Sequence, residues 1–236
     1  MKIAVFADLH YSDHPIADHP RRRGEIALEL LDNVMDSLNR EHHPDLAICA
    51  GDLVNEPERA DLLPEVVRHL KRLRAPLIVI PGNHDPSSAE FYRHVPRPPV
   101  FLDLDGIRFI PFTDDPERPG WNAARTPEEI KRMIRTASAF PGPSVSIQHV
   151  PLYRPGTSKV RFNYEYAETI LDAMRDSGVR LTISGHYHEG MAPVSDGRVT
   201  ALAAPALCEA PFRFLLFELD RDGLLSHFRT IEGAAQ

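Results

Sequence analysis

The chain has little cysteine, no long apolar run and no surplus of positive charge, and each shortage removes a class of function. Two cysteines in 236 residues, Cys49 and Cys208, are too few for a disulfide framework to hold the fold. Cys49 sits inside the apolar run Leu46 to Ala50, where a thiol behaves as a small hydrophobe, so both cysteines are expected to be structural and reduced. No uninterrupted apolar stretch approaches the roughly 20 residues that span a bilayer, which excludes a transmembrane helix. Met1 to Ala7 runs directly into the polar residues Asp8 and His10, without an apolar signal core or a small-residue cleavage site, so a cytoplasmic protein is expected. With 27 Lys and Arg against 34 Asp and Glu, the formal charge is −7. That balance repels polymeric nucleic acid over most of the surface. Repeats, low-complexity tracts and heptad stripes are also missing, and the 22 prolines are scattered through loops instead of gathered in a linker. A single domain over residues 1–236 is expected, and nothing in the pattern fixes an oligomeric state.

What is present is a series of short apolar runs bounded by turn residues: Ile3 to Ala7, Leu46 to Ala50, Leu77 to Ile80, Val145 to Gln148 and Leu181 to Ser184. Each reads as a strand. Amphipathic stretches lie between them. In Glu25 to Arg40, residues Ala27, Leu30, Leu31, Val34 and Leu38 follow one helical face, and Pro44 stops the helix. Further helices are predicted over about Glu58 to Leu73, from Thr126 with Pro127 at its first turn and Glu129 completing a capping box, and from about Tyr164 to Asp176 ending at Gly178. Alternation of strand and helix predicts an α/β sheet whose strand ends share one edge. Asp105-Gly106, Asp196-Gly197 and Asp222-Gly223 each separate short extended runs and read as hairpins. A second, largely antiparallel sheet built from those hairpins is expected to pack on the first, giving two packed sheets flanked by helices.

Each of the five runs ends at a polar motif: Asp8-Leu9-His10, Gly51-Asp52, Gly82-Asn83-His84-Asp85, Gln148-His149 and Gly185-His186-Tyr187-His188. Residues just beyond the carboxyl ends of α/β strands converge on one crevice although far apart in sequence. Singly, most of these motifs read as ordinary strand ends or turns, and Asn83-His84-Asp85 could simply cap a helix starting near Ser87. Their joint occurrence favours a metal site. Imidazoles with carboxylates and an amide oxygen suit ions such as Mn, Fe, Zn or Co, and the lack of motif cysteines argues against a thiolate site. Glycine before Asp52, Asn83 and His186 permits a sharp turn and close backbone approach.

The ordered motifs Asp-x-His, Gly-Asp, Gly-Asn-His-Asp, His and Gly-His-x-His resemble those of the calcineurin-like metallophosphoesterase superfamily over residues 3 to 188, with every position filled. The resemblance implies two packed mixed sheets flanked by helices. It implies that Asp8, His10 and His188 bind one metal, that Asn83, His149 and His186 bind the second, and that Asp52 bridges them. The pairing of His10 with Asn83 also resembles the bacterial cyclic-nucleotide phosphodiesterase subgroup, although the same motifs occur in phosphomonoesterases and nucleases. His84 resembles the family's catalytic histidine, with Asp85 expected to hold its ring.

Two metals about 3.5 to 4 Å apart lower the pKa of a bridging water to near neutrality, so in-line attack of a metal-bridging hydroxide on phosphorus is the expected chemistry. Mn and/or Fe are favoured, with Zn as the alternative, and small phosphodiesters are the leading substrate class, with phosphomonoesters the nearest rival. A nuclease and a noncatalytic scaffold are further alternatives; the full ligand set weighs against the scaffold. The segment Tyr11 to Arg23 could form a rim with one of Arg21, Arg22 or Arg23 on phosphate, although a solvated loop is the more ordinary reading. His14 and His19 within it are expected to be surface histidines. Tyr187 could stack on a substrate or merely pack.

Overall fold

The computed structural model describes residues 1–233. Chain order runs β1 (Lys2–Phe6), α1 (Ala27–Ser37), β2 (Leu46–Cys49), α2 (Leu63–Leu70), β3 (Leu77–Val79), α3 (Ser88–His94), β4 (Leu102–Leu104) and β5 (Ile107–Pro111). It continues with β6 (Glu117–Arg118), β7 (Asn122–Ala123), α4 (Pro127–Ser138), β8 (Ser144–Ile147), α5 (Ala167–Ser177) and β9 (Val179–Ser184). The last strands are β10 (Met191–Ser195), β11 (Thr200–Ala203), β12 (Arg213–Leu219) and β13 (Leu225–Glu232).

Two mixed sheets stack, one in the order β13-β12-β1-β2-β3 and the other β10-β11-β9-β8-β5-β4. Alternation along each strand divides the core into layers. Ile3 and Val5 join Ile48, Ile78, Phe109, Val145, Ile183 and Phe217 between the sheets. Ala4 and Phe6 face the other way, onto Leu30, Leu31 and Val34 of α1 and Val66 of α2. The second sheet is covered in turn by Met133 of α4 and Ile170, Leu171 and Met174 of α5. Both faces of the central strands are therefore dry, which explains why they read as continuous apolar runs and not as alternating ones.

Local signals act as the sequence predicts at several places. Thr126 caps α4, its hydroxyl accepting from the Glu129 N–H at 3.2 Å; α5 ends at Gly178 with φ +99°, and α1 winds through a wider turn over Leu38–His42 before ending. All three Asp-Gly turns close hairpins, joining β4 to β5, β10 to β11 and β12 to β13. The expected assignment of strands to sheets is corrected. The five apolar runs do not share one sheet: β1, β2 and β3 lie in the first, β8 and β9 in the second. Nor do the hairpins build a separate antiparallel sheet. Two of them flank the parallel core β5-β8-β9-β11, and the third completes the edge beside β1. The length and hydropathy of a doubly covered strand are the same in either sheet, so periodicity has no means of separating them.

Candidate metal centre

Parallel strands in both sheets end at one edge of the sandwich, and the polar motifs sit just beyond β1, β2, β3, β8 and β9. The turns are interlocked by backbone bonds: the Asp8 N–H donates to the Gly51 carbonyl at 2.9 Å, His10 N–H to Asp52 at 3.0 Å, and Gly185 N–H to His149 at 3.0 Å. Four of the motif residues adopt left-handed backbone conformations, with φ +57° at Asp8, +45° at His10, +55° at Asp52 and +67° at His186. Non-glycine residues avoid this region, and such settings persist where the surroundings over-determine them, commonly at functional sites. Two glycines are required by proximity. A Cβ on Gly82 would lie 2.1 Å from Asp52 Oδ1, and one on Gly185 would lie 2.8 Å from Asp8 Oδ2.

The side chains converge in two groups. On one side, His10 Nε2 lies 3.2 Å from His188 Nε2, and His188 Nε2 lies 3.7 Å from Asp8 Oδ1. On the other, Asn83 Oδ1 is 3.0 Å from His186 Nδ1 and 3.1 Å from His149 Nε2. Asp52 Oδ2 stands between them, 3.5 Å from His10 Nε2 and 3.3 Å from His149 Nε2. Asp8, His10 and His188 form one set of donors that could hold a metal ion, Asp52, His149 and His186 form another, and His10, Asp52 and His84 make a third, overlapping set.

The chemistry of these donors fits cations. The His149 Nδ1–H donates to the Ala50 carbonyl at 2.7 Å, the His186 Nε2–H to the Trp121 carbonyl at 2.9 Å, and the His188 Nδ1–H to Glu209 Oε1 at 2.6 Å. Each outer bond fixes the tautomer of the neutral ring, in which the inward nitrogen keeps a lone pair for a cation. His149 Nε2 and His186 Nδ1 face one another at 3.2 Å, a spacing that calls for a shared proton or a cation between them. Burial acts in the same direction. It raises the Asp8 carboxyl to about 6 and, with His149's charge, lowers His186 to about 3. His10 is likewise held well below its ordinary value by burial. Burial disfavours the imidazolium of His149, but the Asp52 carboxylate outweighs it and brings that ring up to about 10. A low-dielectric cluster of imidazoles and carboxylates, with the His149 proton to be displaced on binding, is one that multivalent cations stabilise.

His84 lies beside this cluster, its ring edge-on to His10 at 4.6 Å between centroids. Asp85 does not hold that ring, contrary to expectation. Its two oxygens accept from the backbone N–H groups of Leu53 (2.9 Å), Val54 (3.1 Å) and Gly82 (2.9 Å), which ties the β2 and β3 turns together. The residue that orients His84 is Asn55, whose carbonyl accepts from Nδ1–H at 2.8 Å. A main-chain acceptor leaves no trace in residue type, so the sequence offered no signal for it. Nor does the Asn83-His84-Asp85 turn cap the next helix; Ser87 caps α3.

Arg21 and Arg22 line the cleft above the donors, together with His19, Trp121, Arg161, Phe162, Tyr187 and Glu209, around a volume of about 660 Å³. Arg23 turns away to pair with Glu25. His14 pairs with Asp13 at 2.7 Å, and neither it nor His19 joins the donor groups found among the described residues. Tyr187 packs on the core beside Phe162, its hydroxyl donating to Glu189 at 2.7 Å. Sequence reasoning missed Glu209 and Trp121. Both come from loops with no apolar periodicity, and both reach a motif histidine only through the tertiary fold.

A sequence profile of the family described as calcineurin-like phosphoesterase matches residues 1–190. No curated protein matches the chain. Among solved structures, a dimetal phosphatase from Danio rerio is 15% identical and superposes with a TM-score of 0.76 over 99% of each chain. A protein of Thermus thermophilus, 16% identical, gives 0.68 over 99% of each. A purple acid phosphatase from yellow lupin seeds, 13% identical, gives 0.62 over 98% of this chain and 53% of that one. At these identities the superpositions establish the shared fold of two mixed sheets flanked by helices.

Proposed function

The chain belongs to the calcineurin-like phosphoesterase family, and from that premise we propose that it is a dinuclear metal-dependent phosphodiesterase of small phosphate esters. The observation that carries the reading is the meeting of Asp8, His10, Asp52, Asn83, His149, His186 and His188 at one place, with Asp52 within 3.5 Å of His10 on one side and 3.3 Å of His149 on the other. Asp8, His10 and His188 would hold one metal, Asn83, His149 and His186 the other, and Asp52 both. When bound, the two cations supply an acidified water and neutralise charge on the phosphoryl oxygens. An all-nitrogen-and-oxygen donor set favours Mn or Fe, with Zn as the alternative.

The chain's own residues do the rest. His84, with Nδ1–H committed to Asn55, has Nε2 left to carry a proton to the departing alkoxide, a role worth about 10²- to 10⁴-fold in rate. Arg21 and Arg22 both line the cleft; Arg21 pairs with Glu209, so Arg22, whose charge bears on His10, is the one we assign to a phosphate oxygen. Glu209 fixes the His188 tautomer. The cleft of about 660 Å³ beyond the donors leaves room for a second ester substituent, which favours diesters over monoesters. Because the donors come from both sheets and the sheets share one apolar layer, the chain acts as one functional unit. No helix among the described residues is long and apolar enough to cross a membrane. Cys49 and Cys208 are buried free thiols, which supports a cytoplasmic setting.

The test is hydrolysis of bis(p-nitrophenyl) phosphate against p-nitrophenyl phosphate by metal-stripped protein resupplied with Mn, in wild type and His84→Asn. Metal-dependent diester turnover, lost in the variant while metal stays bound, is expected. Preference for the monoester overturns the diesterase assignment, and a fully active variant overturns the role of His84.

A further inference from the structure

The cleft over the metal donors is walled on one side by Trp121, the only tryptophan in the sequence, at the tip of the short hairpin β6–β7. Its backbone is held in an unfavourable left-handed conformation, φ +63°. Several contacts keep it there. The Trp121 carbonyl accepts from His186 Nε2–H, Asn122 Nδ2 donates to Pro119 O at 2.9 Å, and the Asn163 N–H donates to Asn122 Oδ1 at 2.9 Å. Arg118 also pairs with Glu165 at 3.1 Å. Trp121 is 52% exposed, an unusual state for a residue with the largest apolar side chain. Its plane lies within 15° of the His84 ring at a centroid distance of 6.3 Å. The two rings are thus near parallel at a spacing within the range of about 4.5–7 Å found for offset aromatic pairs.

The other aromatic residues of the cleft are already committed. Phe162 is buried edge-on against His186 at 4.6 Å, and the Tyr187 hydroxyl is bonded to Glu189. Trp121 alone combines exposure in the cleft with a place beside the proposed proton donor. Building on the phosphoesterase reading, we propose that Trp121 is the specificity-determining residue. It stacks on a planar aromatic ring in the alcohol portion of the ester, so that aryl or nucleobase-bearing esters are preferred over aliphatic ones. Arg161, also lining the cleft, stands over the Phe162 ring at 4.7 Å, where it meets polar groups or negative charge carried by the ring-bearing arm.

Because the chain has one indole, its fluorescence reports on this position alone. Mn-loaded protein is titrated with adenosine 5′-monophosphate, glycerol 3-phosphate and adenosine, following fluorescence in wild type and heat of binding in wild type, Trp121→Ala and Trp121→Phe. Every substitution keeps the backbone carbonyl that holds His186, so metal content serves as a control. Adenosine and its monophosphate are expected to quench the indole while glycerol 3-phosphate does not. The nucleotide is expected to bind about tenfold or more tightly than the glycerol ester. Trp121→Ala abolishes that preference, Trp121→Phe restores most of it, and the affinity for glycerol 3-phosphate stays constant. Equal affinity of wild type for the two esters, or equal weakening of both in Trp121→Ala, overturns the proposal. Quenching by adenosine without binding of either phosphate ester sinks the phosphoesterase reading and leaves the stacking face standing.

Discussion

Gly82→Ala isolates the packing on which the metal site depends. The added Cβ would lie 2.1 Å from Asp52 Oδ1, 2.6 Å from Asp52 N and 2.7 Å from His149 Cε1, where ordinary contact begins at 3.4 Å. About 1.3 Å must therefore open at the carboxylate, the difference between 3.4 and 2.1 Å. Neither neighbour can move freely: Asp52 Oδ1 accepts the His84 N–H at 2.8 Å, and His149 Nδ1 is bonded to Ala50. Overpacking of this kind costs about 1–3 kcal/mol, a fall in Tm of roughly 2–12 °C for a chain of this size. A misplacement near 1 Å at the shared carboxylate is expected to lower turnover about 100-fold. Gly197→Ala is the control. It introduces strain at φ +88° but meets nothing within 4 Å, so it also lowers Tm while metal binding and turnover stay at the wild-type level. Differential scanning fluorimetry, calorimetric Mn titration of stripped protein and diester hydrolysis read the three effects. Two metals bound by Gly82→Ala with wild-type affinity would refute the reasoning.

Three further outcomes follow from the geometry. Glu209→Gln leaves His188 without its carboxylate and is expected to weaken metal binding about 10- to 100-fold; unchanged affinity in the Mn titration removes Glu209 from the site. Adding Mn at about 100 times its Kd to stripped protein should contribute about 2.7 kcal/mol, and so raise Tm by roughly 5–11 °C; a Tm indifferent to metal argues against the buried donors as ligands. Burial, followed by the Asp115 carboxylate at 2.7 Å, raises the Tyr164 hydroxyl well above its ordinary value of 10. The folded chain therefore keeps that group neutral where the unfolded chain ionises. This contribution is whole below pH about 10 and is lost as pH rises beyond it. Urea midpoints between pH 8 and 11 should fall less steeply in Tyr164→Phe than in wild type, and parallel slopes would contradict the assignment.

Much of the site was legible because each donor follows a strand. The runs before Asp8, Asp52, Asn83, His149 and His186 announce strand ends by hydropathy, and the glycines before three of them announce tight passage. Gly82 and Gly185 are in fact crowded by Asp52 and Asp8. Asp85 shows where that reading fails. A carboxylate next to a histidine in sequence suggests that it orients the ring, yet its oxygens serve three backbone N–H groups and Asn55 supplies the orienting carbonyl. Glu209 and Trp121 were illegible for a related reason. The first lies 21 residues from His188 and the second 65 from His186, in loops whose direction no local pattern encodes.

The sequence by itself determined the main elements and marked the candidate donors in their order, because hydropathy period, capping and turn chemistry act over a few residues. Only the tertiary structure decided that the strands divide between two sheets, that Asp52 stands between two groups of donors, and that Trp121 faces His84. Those outcomes depend on which dry faces meet and on main-chain acceptors, which every residue carries alike.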